Sequence, residues 1–549
     1  MSKILNYLST LLLFLVFSLV IFGGGYLRTE NFKLEIGSVD PWAIGCIIIS
    51  LIFYKLAKLQ PLSYQLFKDV IRRTQTQKSF YTILLFLFIS TFLTHIFKHL
   101  NFQTNLYDMA YVHQALFYPF EGKLLQCDVC KFGTYLSDHI SFSLFIITPI
   151  TALFKNDYII FFLQKCFIFV PIFLLIKKGP LAGKKWLYSS ILIIIFCNRS
   201  LRNSLFWDFR EDHIGFCFLL LSLLSLYLRK YFFYFLFLII ALFSKEHIGL
   251  ITSGISIPLL FDKEFISSKR DRIYLATSTF ILSLSISIIS FKFLFPLFTI
   301  QDQSINNVVS RFAEFGSTPS EVIFNVLKSP THWVNLIQRF INVKSLKYVL
   351  LVILPYILFL RKAYIWLIPI FMGVALNIIS PLPNEKMMIF HYDLIWLAIA
   401  IFALTLGFSR INIQRFESKE LMLGLIIAIA LSGRWPLYYI KDFSLENIRD
   451  SYFLSTLKRT GTIAASKKNI AHLTDFPSIR VLDYSNKELN MDRTNCAHPS
   501  SCYFQANKLI LDKRSIIESK LISKLTSKNW RLISKSPSGN LLYYEKLIQ

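Results

Sequence analysis

Long apolar runs constrain this chain more than any other feature. Crossing the hydrocarbon of a bilayer takes about 20 mostly apolar residues, and a lipid-embedded segment has to be helical so that its backbone groups satisfy one another. Such runs predict spans near 4–24, 41–57, 80–97, 158–176, 186–200, 213–228, 231–244, 248–261, 273–295, 346–360, 364–380, 391–408 and 420–438. The pair 231–244 and 248–261 is interrupted by Ser244-Lys245-Glu246-His247, so each half is short, as in a broken or re-entrant helix. With 54% hydrophobic residues, 54 of them Phe, the 549-residue chain falls outside the water-soluble, disordered and collagen-like classes. The expected fold class is mainly α, a polytopic membrane protein of about 12–13 transmembrane helices.

Charge orients the spans. Lys and Arg outnumber Asp and Glu by 59 to 33, a formal +26 that in a soluble protein would suggest nucleic acid. In a membrane protein, basic residues collect in short cytoplasmic loops. Lys55, Lys58, Lys68, Arg72, Arg73 and Lys78 against Asp69 alone place the loop before residue 80 inside. Residues 98–157 then lie outside. The apolar run 140–154 is read as a juxtamembrane or re-entrant helix, which keeps Lys177-Lys178 and Lys184-Lys185 inside. Arg229-Lys230, Lys269 to Arg272, Arg361-Lys362 and Arg410 to Lys419 follow on the same side. The stretches 201–212, 296–345, 381–390 and everything after 440 are outer. The first run is expected to be a retained signal anchor, since no small-residue cleavage motif follows it. The expected location is a bacterial cytoplasmic membrane, with membrane lipids as partners and no nucleic acid.

Three regions follow: 1–79, an N-terminal two-helix extension; 80–439, the transmembrane core with outer loops 98–157, 201–212 and 296–345; and 440–549, a small extracytoplasmic α/β domain. In the last, Thr462–Ser466, Ile479–Asp483 and Ala506–Asp512 read as strands and Ser515–Thr526 as a helix. Trp530–Ser534 with Leu541–Tyr544 reads as a hairpin around Pro537-Ser-Gly-Asn540. From Lys441 onward 18 basic residues face 10 acidic ones, a net +8 that suits anionic head groups, cell-surface polymers or a merely solvated surface. Cys46, Cys166, Cys197 and Cys217 fall in spans as small buried residues. Cys127, Cys130, Cys496 and Cys502 fall on the oxidising side as disulfide candidates, with a shared zinc site as the sharper alternative.

Ionisable groups near a membrane are costly, and here they gather at predicted outer ends. The clusters are Tyr107-Asp108 with His113-Gln114, Asp138-His139, Trp207-Asp208-Phe-Arg210-Glu211-Asp212-His213, Lys245-Glu246-His247 and His391-Tyr392-Asp393. Asp108 is the preferred general base. Asp208, Glu211 and Asp212 can orient an acceptor or hold a divalent cation, and Arg210, Lys245 and Arg311 can neutralise a lipid phosphate. Each of these acids also has a bland reading as a solvated loop residue. Lys165, near the middle of its span, is expected to face the protein interior. No Walker A, Rossmann, HExxH or nucleophile-elbow pattern appears, which leaves ATP-driven pumps, nicotinamide oxidoreductases, zincins and serine hydrolases without support.

With those clusters in order, the chain resembles the bacterial membrane protein family known as domain of unknown function 2079. The resemblance rests on Tyr107-Asp108-Met-Ala-Tyr-Val-His113-Gln114, Asp138-His139, Asp208-Phe209, Lys245-Glu246-His247-Ile-Gly-Leu250, Arg311-Phe-Ala-Glu314-Phe-Gly316 and His391-Tyr392, and covers about residues 80–549. That family resembles integral membrane glycosyltransferases of the GT-C fold, which take a sugar from a polyprenyl phosphate and keep an acid in the first large outer loop. The resemblance implies that Asp108 is that acid and that 208–212 is the second acidic loop. It further implies a polyprenyl-phosphate sugar donor and a cell-envelope glycan, lipid or protein acceptor. Tyr107, His113, Gln114, Asp138, His139, Arg210, Lys245, Glu246, His247, Arg311, Glu314, His391 and Tyr392 are the expected substrate-binding set. The family usually has a His after Asp-Phe and an acid after Lys-Glu, where this chain has Arg210 and His247. The rival expectations are a transporter or flippase of lipid-linked or anionic solutes, and a non-catalytic envelope assembly protein.

Overall fold

The computed structural model describes residues 76–298 apart from 105, 123–124 and 131–132, 328–411 apart from 389, 419–432, 443–482, and 505–547 apart from 526–528, with isolated stretches before 76 and at 314–325. The predicted spans 4–24 and 41–57 are almost wholly outside the described residues, as are Arg311, Cys496, Cys502 and the Tyr107 side chain. Near the N-terminus a short hairpin pairs β1 (Tyr26–Thr29) antiparallel with β2 (Phe32–Glu35).

The chain is mainly helical. Four helices are long and apolar enough to cross a membrane among the described residues: Gln77–Leu100 (α1), Asp157–Lys178, Lys269–Phe298 and Arg361–Ile379; the bent pair Pro330–Ile341 and Val343–Ile357 makes a fifth. Between Leu100 and Asp157 lie only short helices, among them α2 (Tyr111–Phe117) and α3 (Thr148–Phe154), so 140–154 does not form a long span. After α4 (Asp157–Lys178) come α5 (Tyr188–Phe196) and α6 (Arg199–Phe206). The predicted span 186–200 therefore stops early and the predicted outer loop 201–212 is largely helical. Asn198 is the cause: its side chain caps α6 by accepting from Leu201 N at 3.1 Å, which ends one helix and starts the next. The loop that remains is 207–211.

α7 (Asp212–Tyr227) and α8 (Tyr231–Leu242) precede the expected break, after which α9 (Ile248–Ser253) and α10 (Ser256–Phe261) divide the second half again at Gly254. α11 (Lys269–Ile289) leads to the incompletely described 299–327. α12 (Pro330–Ile341) occupies the end of the predicted outer loop 296–345 and turns by 56° into α13 (Val343–Leu360). α14 (Leu367–Ile379), α15 (Leu394–Arg410) and α16 (Lys419–Leu431) complete the bundle. Every residue of α15 from Leu394 to Phe408 is buried, as expected of an all-round apolar helix at a bundle's centre.

The basic loops interlock at one end of the bundle. Lys184 Nζ donates to Ser409 O at 3.1 Å, Arg410 reaches Lys362 O and Asp262, and Arg229 donates to Phe265 O at 2.5 Å. At the other end sits the C-terminal unit: α17 (Leu445–Ser455), β3 (Thr462–Ser466), α18 (Lys467–Ile470), β4 (Ser478–Leu482), β5 (Lys508–Asp512), α19 (Ile516–Leu525), β6 (Trp530–Lys535) and β7 (Leu541–Lys546). Its sheet runs β4-β3-β5-β7-β6, parallel through β5 and antiparallel after it. β5 is buried at every position, as a strand covered on both faces must be. Ile463, Ala465, Phe476, Ile479 and Tyr543 share one apolar core with Leu106, Leu116, Tyr135 and Leu144 of the first loop, so sheet and loop pack as one body.

Candidate functional site

Asp108 lies in one π-helical turn, Leu106–Ala110, beyond the end of α1. Leu106 and Ala110 are buried in the shared core and Met109 against Phe161 and Ala471, which leaves the Asp108 carboxylate towards the loop 207–211 with 17% of its side chain exposed. Trp207 Nε1 donates to its Oδ2 at 3.0 Å, and Arg210 Nη1 stands 3.6 Å from its Oδ1. Burial pushes this carboxyl above the ordinary carboxylate range, against the pull of Arg210 and the Trp207 hydrogen bond.

The other three acids are sealed. Asp208, Glu211 and Asp212 expose 0%, 0% and 1% of their side chains. Lys98 Nζ donates to Asp208 Oδ1 at 2.6 Å, with His95 Nε2 3.6 Å from the same oxygen. Burial would raise the Asp208 carboxyl, but Lys98 and His95 hold it below its usual range. Glu211 accepts from the Tyr135 hydroxyl and lies 3.1 Å from Lys245 Nζ, 3.4 Å from Arg210 Nε and 3.9 Å from His139 Nε2. Asp212 opens α7, where the helix dipole favours an acid, and accepts from Lys245 Nζ at 2.8 Å, with His391 Nε2 at 3.5 Å. In the broken segment Glu246 faces His139 Nδ1 at 3.3 Å, and its carbonyl accepts from Ser287 Oγ at 2.7 Å. Lys245 Nζ also stands 5.8 Å from the Tyr392 ring.

One network thus joins Asp108, His139, Arg210, Glu211, Asp212, Lys245, Glu246, His391 and Tyr392 from five stretches of the chain, with Asp208 beside it on Lys98 and His95. Acids and cations alternate along it, the arrangement that makes buried charge tolerable. Each acid of the network is turned to a Lys, Arg or His, and among the described residues no three His, Cys, Asp or Glu stand together as metal ligands.

Several expected binding residues lie elsewhere. His113 Nδ1 is 2.6 Å from Asp157 Oδ1, in a second cluster with His99 and Thr474. Gln114 accepts from Asp128 N at 2.9 Å, and Asp128 in turn accepts from Ile479 N at 2.8 Å, so Gln114 belongs to the joint between loop and sheet. Asp138 ends the turn Tyr135–Ser137 and His247 takes the N-cap position of α9. Glu314 pairs with Arg339, outside the network. Cys127 and Cys130 are joined in a disulfide with Cα atoms 5.3 Å apart. Lys165 meets Gln164 Oε1 and His95 Nδ1 at 2.9 Å each, and donates to Leu205 O.

Lys98, His95 and Tyr135 were not expected in the site, and Trp207, which opens the second acidic cluster, was given no role of its own. For Lys98 and His99 a signal exists: basic residues at the predicted outer end of a span run against the inner placement of positive charge.

Residues 98–475 match the profile of a family described as Predicted membrane protein (DUF2079), well over half of the chain. No curated protein matches the sequence. Among solved structures, the chain is similar at 10% identity to one titled Crystal Structure of ArnT from Cupriavidus metallidurans bound to Undecaprenyl phosphate. The match covers 84% of this chain and 97% of that one with a TM-score of 0.34, too low to inform the site.

Proposed function

The chain belongs to the DUF2079 family of predicted membrane proteins, and we propose that it is a membrane glycosyltransferase moving a sugar from a polyprenyl-phosphate donor to a cell-envelope acceptor at the outer leaflet. Asp108 is the general base. The observation that carries this role is its accessibility: of the four candidate acids it alone is 17% exposed, with two fixed donors beside it, while the other three are buried in ion pairs. In the reaction the acceptor hydroxyl loses its proton to the Asp108 carboxylate as its oxygen bonds to the anomeric carbon. The bond from that carbon to the phosphate oxygen breaks, and the polyprenyl phosphate leaves with the electron pair. Arg210, next to Asp108 and facing Glu211, supplies the nearest positive charge for that anion, with Lys245 behind it. Glu211 and Asp212 hold those cations in place, Asp208 holds Lys98 behind Trp207, and no step is assigned to a metal.

Purified protein given polyprenyl-phosphate sugars and envelope extract should release free polyprenyl phosphate. Asp108→Asn, which still accepts the Trp207 hydrogen bond, should abolish release while leaving the thermal midpoint near wild type. Unchanged release would remove Asp108 as the base. The break at 243–247, with buried Lys245 and Glu246, favours a transporter as second reading, since transporters set binding groups in broken helices. Binding of the same donors without turnover by the wild-type protein would decide for it.

A further inference from the structure

α12 (Pro330–Ile341) divides cleanly into two faces. At 100° per residue, Trp333, Leu336, Ile337, Phe340, Ile341, Val334 and Pro330 fall in one arc, and Thr331, His332, Asn335, Gln338 and Arg339 in the opposite one. The polar side is tied to the protein, where Arg339 pairs with Glu314 and donates to Ile379 O at the end of α14. Only one edge of the apolar arc is covered: Phe340 packs on the bundle core, 6.1 Å from the Phe371 ring. The rest is open. Trp333, Val334, Ile337 and Ile341 are 48%, 52%, 50% and 64% exposed.

That open strip continues past the bend at Asn342. Val343, Leu346, Leu350 and Ile357 on α13 are 80%, 49%, 58% and 45% exposed. They form the outward stripe of a helix that with α12 passes as a bent span. A stripe on a spanning helix faces acyl chains, so the apolar face of α12 is the continuation of a lipid-facing surface around a 56° turn. Twelve residues reach about 18 Å, short of a hydrocarbon core of about 30 Å, and five polar residues on one side have no place at its centre.

We propose that α12 is an interfacial helix. It lies in the headgroup region of the leaflet at the outer end of α14, with Trp333, Val334, Ile337 and Ile341 in the upper acyl chains and Asn335 and Gln338 in water. A Trp at the head of such a face suits the boundary between apolar and wet surroundings.

The test uses the full-length protein in bilayers of phosphatidylcholine brominated either near the glycerol end or near the tail end of the acyl chain. Subtracting the emission of Trp333→Leu from wild type isolates Trp333. Its emission should be quenched severalfold more by bromine near the glycerol than near the tail. Val334→Trp should add a component with the same preference, and Asn335→Trp one that lipid bromine leaves unchanged. These gain variants decide the matter even if Trp333→Leu does not fold. Stronger quenching by tail-end bromine would overturn the proposal in favour of half a span. No quenching by either would overturn it in favour of a face covered by protein.

Discussion

Trp207 and Lys98 show how single residues set the charge state of the network. Trp207 Nε1 donates to Asp108 at 3.0 Å, which favours the ionised carboxylate, while burial raises this carboxyl above its ordinary pKa near 4. A base works when ionised, so transfer should fall as pH drops through that raised value. Trp207→Phe keeps the ring beside Lys98 and removes the donor. Its acid limb should move to higher pH with the plateau less affected, read from the pH profile of polyprenyl phosphate release. An unmoved limb would mean that Trp207 only fills space. Lys98 is the cation that stands directly on Asp208. Because the folded-state carboxyl is depressed, its contribution to stability is present above pH about 4 and is lost only as pH falls below that. Lys98→Met removes the cation 2.6 Å from a buried carboxylate and should cost about 3–5 kcal/mol. Adding Asp208→Asn should recover much of the loss, as measured by thermal unfolding in detergent, and a double variant as weak as Lys98→Met would refute a charge-based account.

The decisive element is the break between α8 and α9. It sets Lys245 and Glu246 against the second acidic loop and His139, and it is pinned from outside, because Ser287 of α11 donates to the Glu246 carbonyl. α9 approaches α11 closely enough that a Cβ on Gly249 would stand 2.1 Å from Ser283 O and 2.4 Å from Ser287 Oγ. Gly249→Ala must push the helices apart, at about 1–3 kcal/mol, and should lower both the thermal midpoint and the transfer rate. A wild-type rate would show that the position of Glu246 does not matter to the reaction. The break itself was legible, since Ser244 to His247 interrupt an apolar run, and so were β3 and the β6–β7 hairpin, whose aliphatic and aromatic runs flank Pro537 and Gly539. The helix over 199–206 was not. Its start depends on one Asn side chain turned to a backbone N–H, and its Arg202 and polar neighbours look like loop when read without the helices around them. Asp108 stood out as an acid just beyond an apolar run. His95 did not, because it is embedded in that run and acquires meaning only from Asp208, while Lys98, one residue past the run, showed only as a basic residue at that end and gains its role from Asp208, 110 residues away.

At the scale of the whole molecule the two ends of the bundle differ in kind. One gathers Lys184, Arg229, Arg272 and Arg410, which donate to backbone carbonyls, that of Lys362 among them, and to Asp262 across loop junctions. The other gathers the acids of the site and the C-terminal sheet, joined to the first loop through Asp128–Ile479, Asn101–Ser444 and Asp157–Thr474. Since basic loops stay inside, we propose that the first end faces the cytoplasm and that site and sheet lie together on the far side. Two exposed positions separate the orientations: Ala182, in the short loop after α4, and Tyr452, 69% exposed on α17. In intact cells an impermeant thiol reagent should label Tyr452→Cys and spare Ala182→Cys, with both labelled after lysis. The reverse pattern would turn the molecule over and put the acid network at the cytoplasmic face, where a donor carried on the outer leaflet has no access to Asp108. Labelling of both in intact cells would break the common end that the basic loops share, because Ala182 lies beside Lys184, whose Nζ reaches Ser409 O.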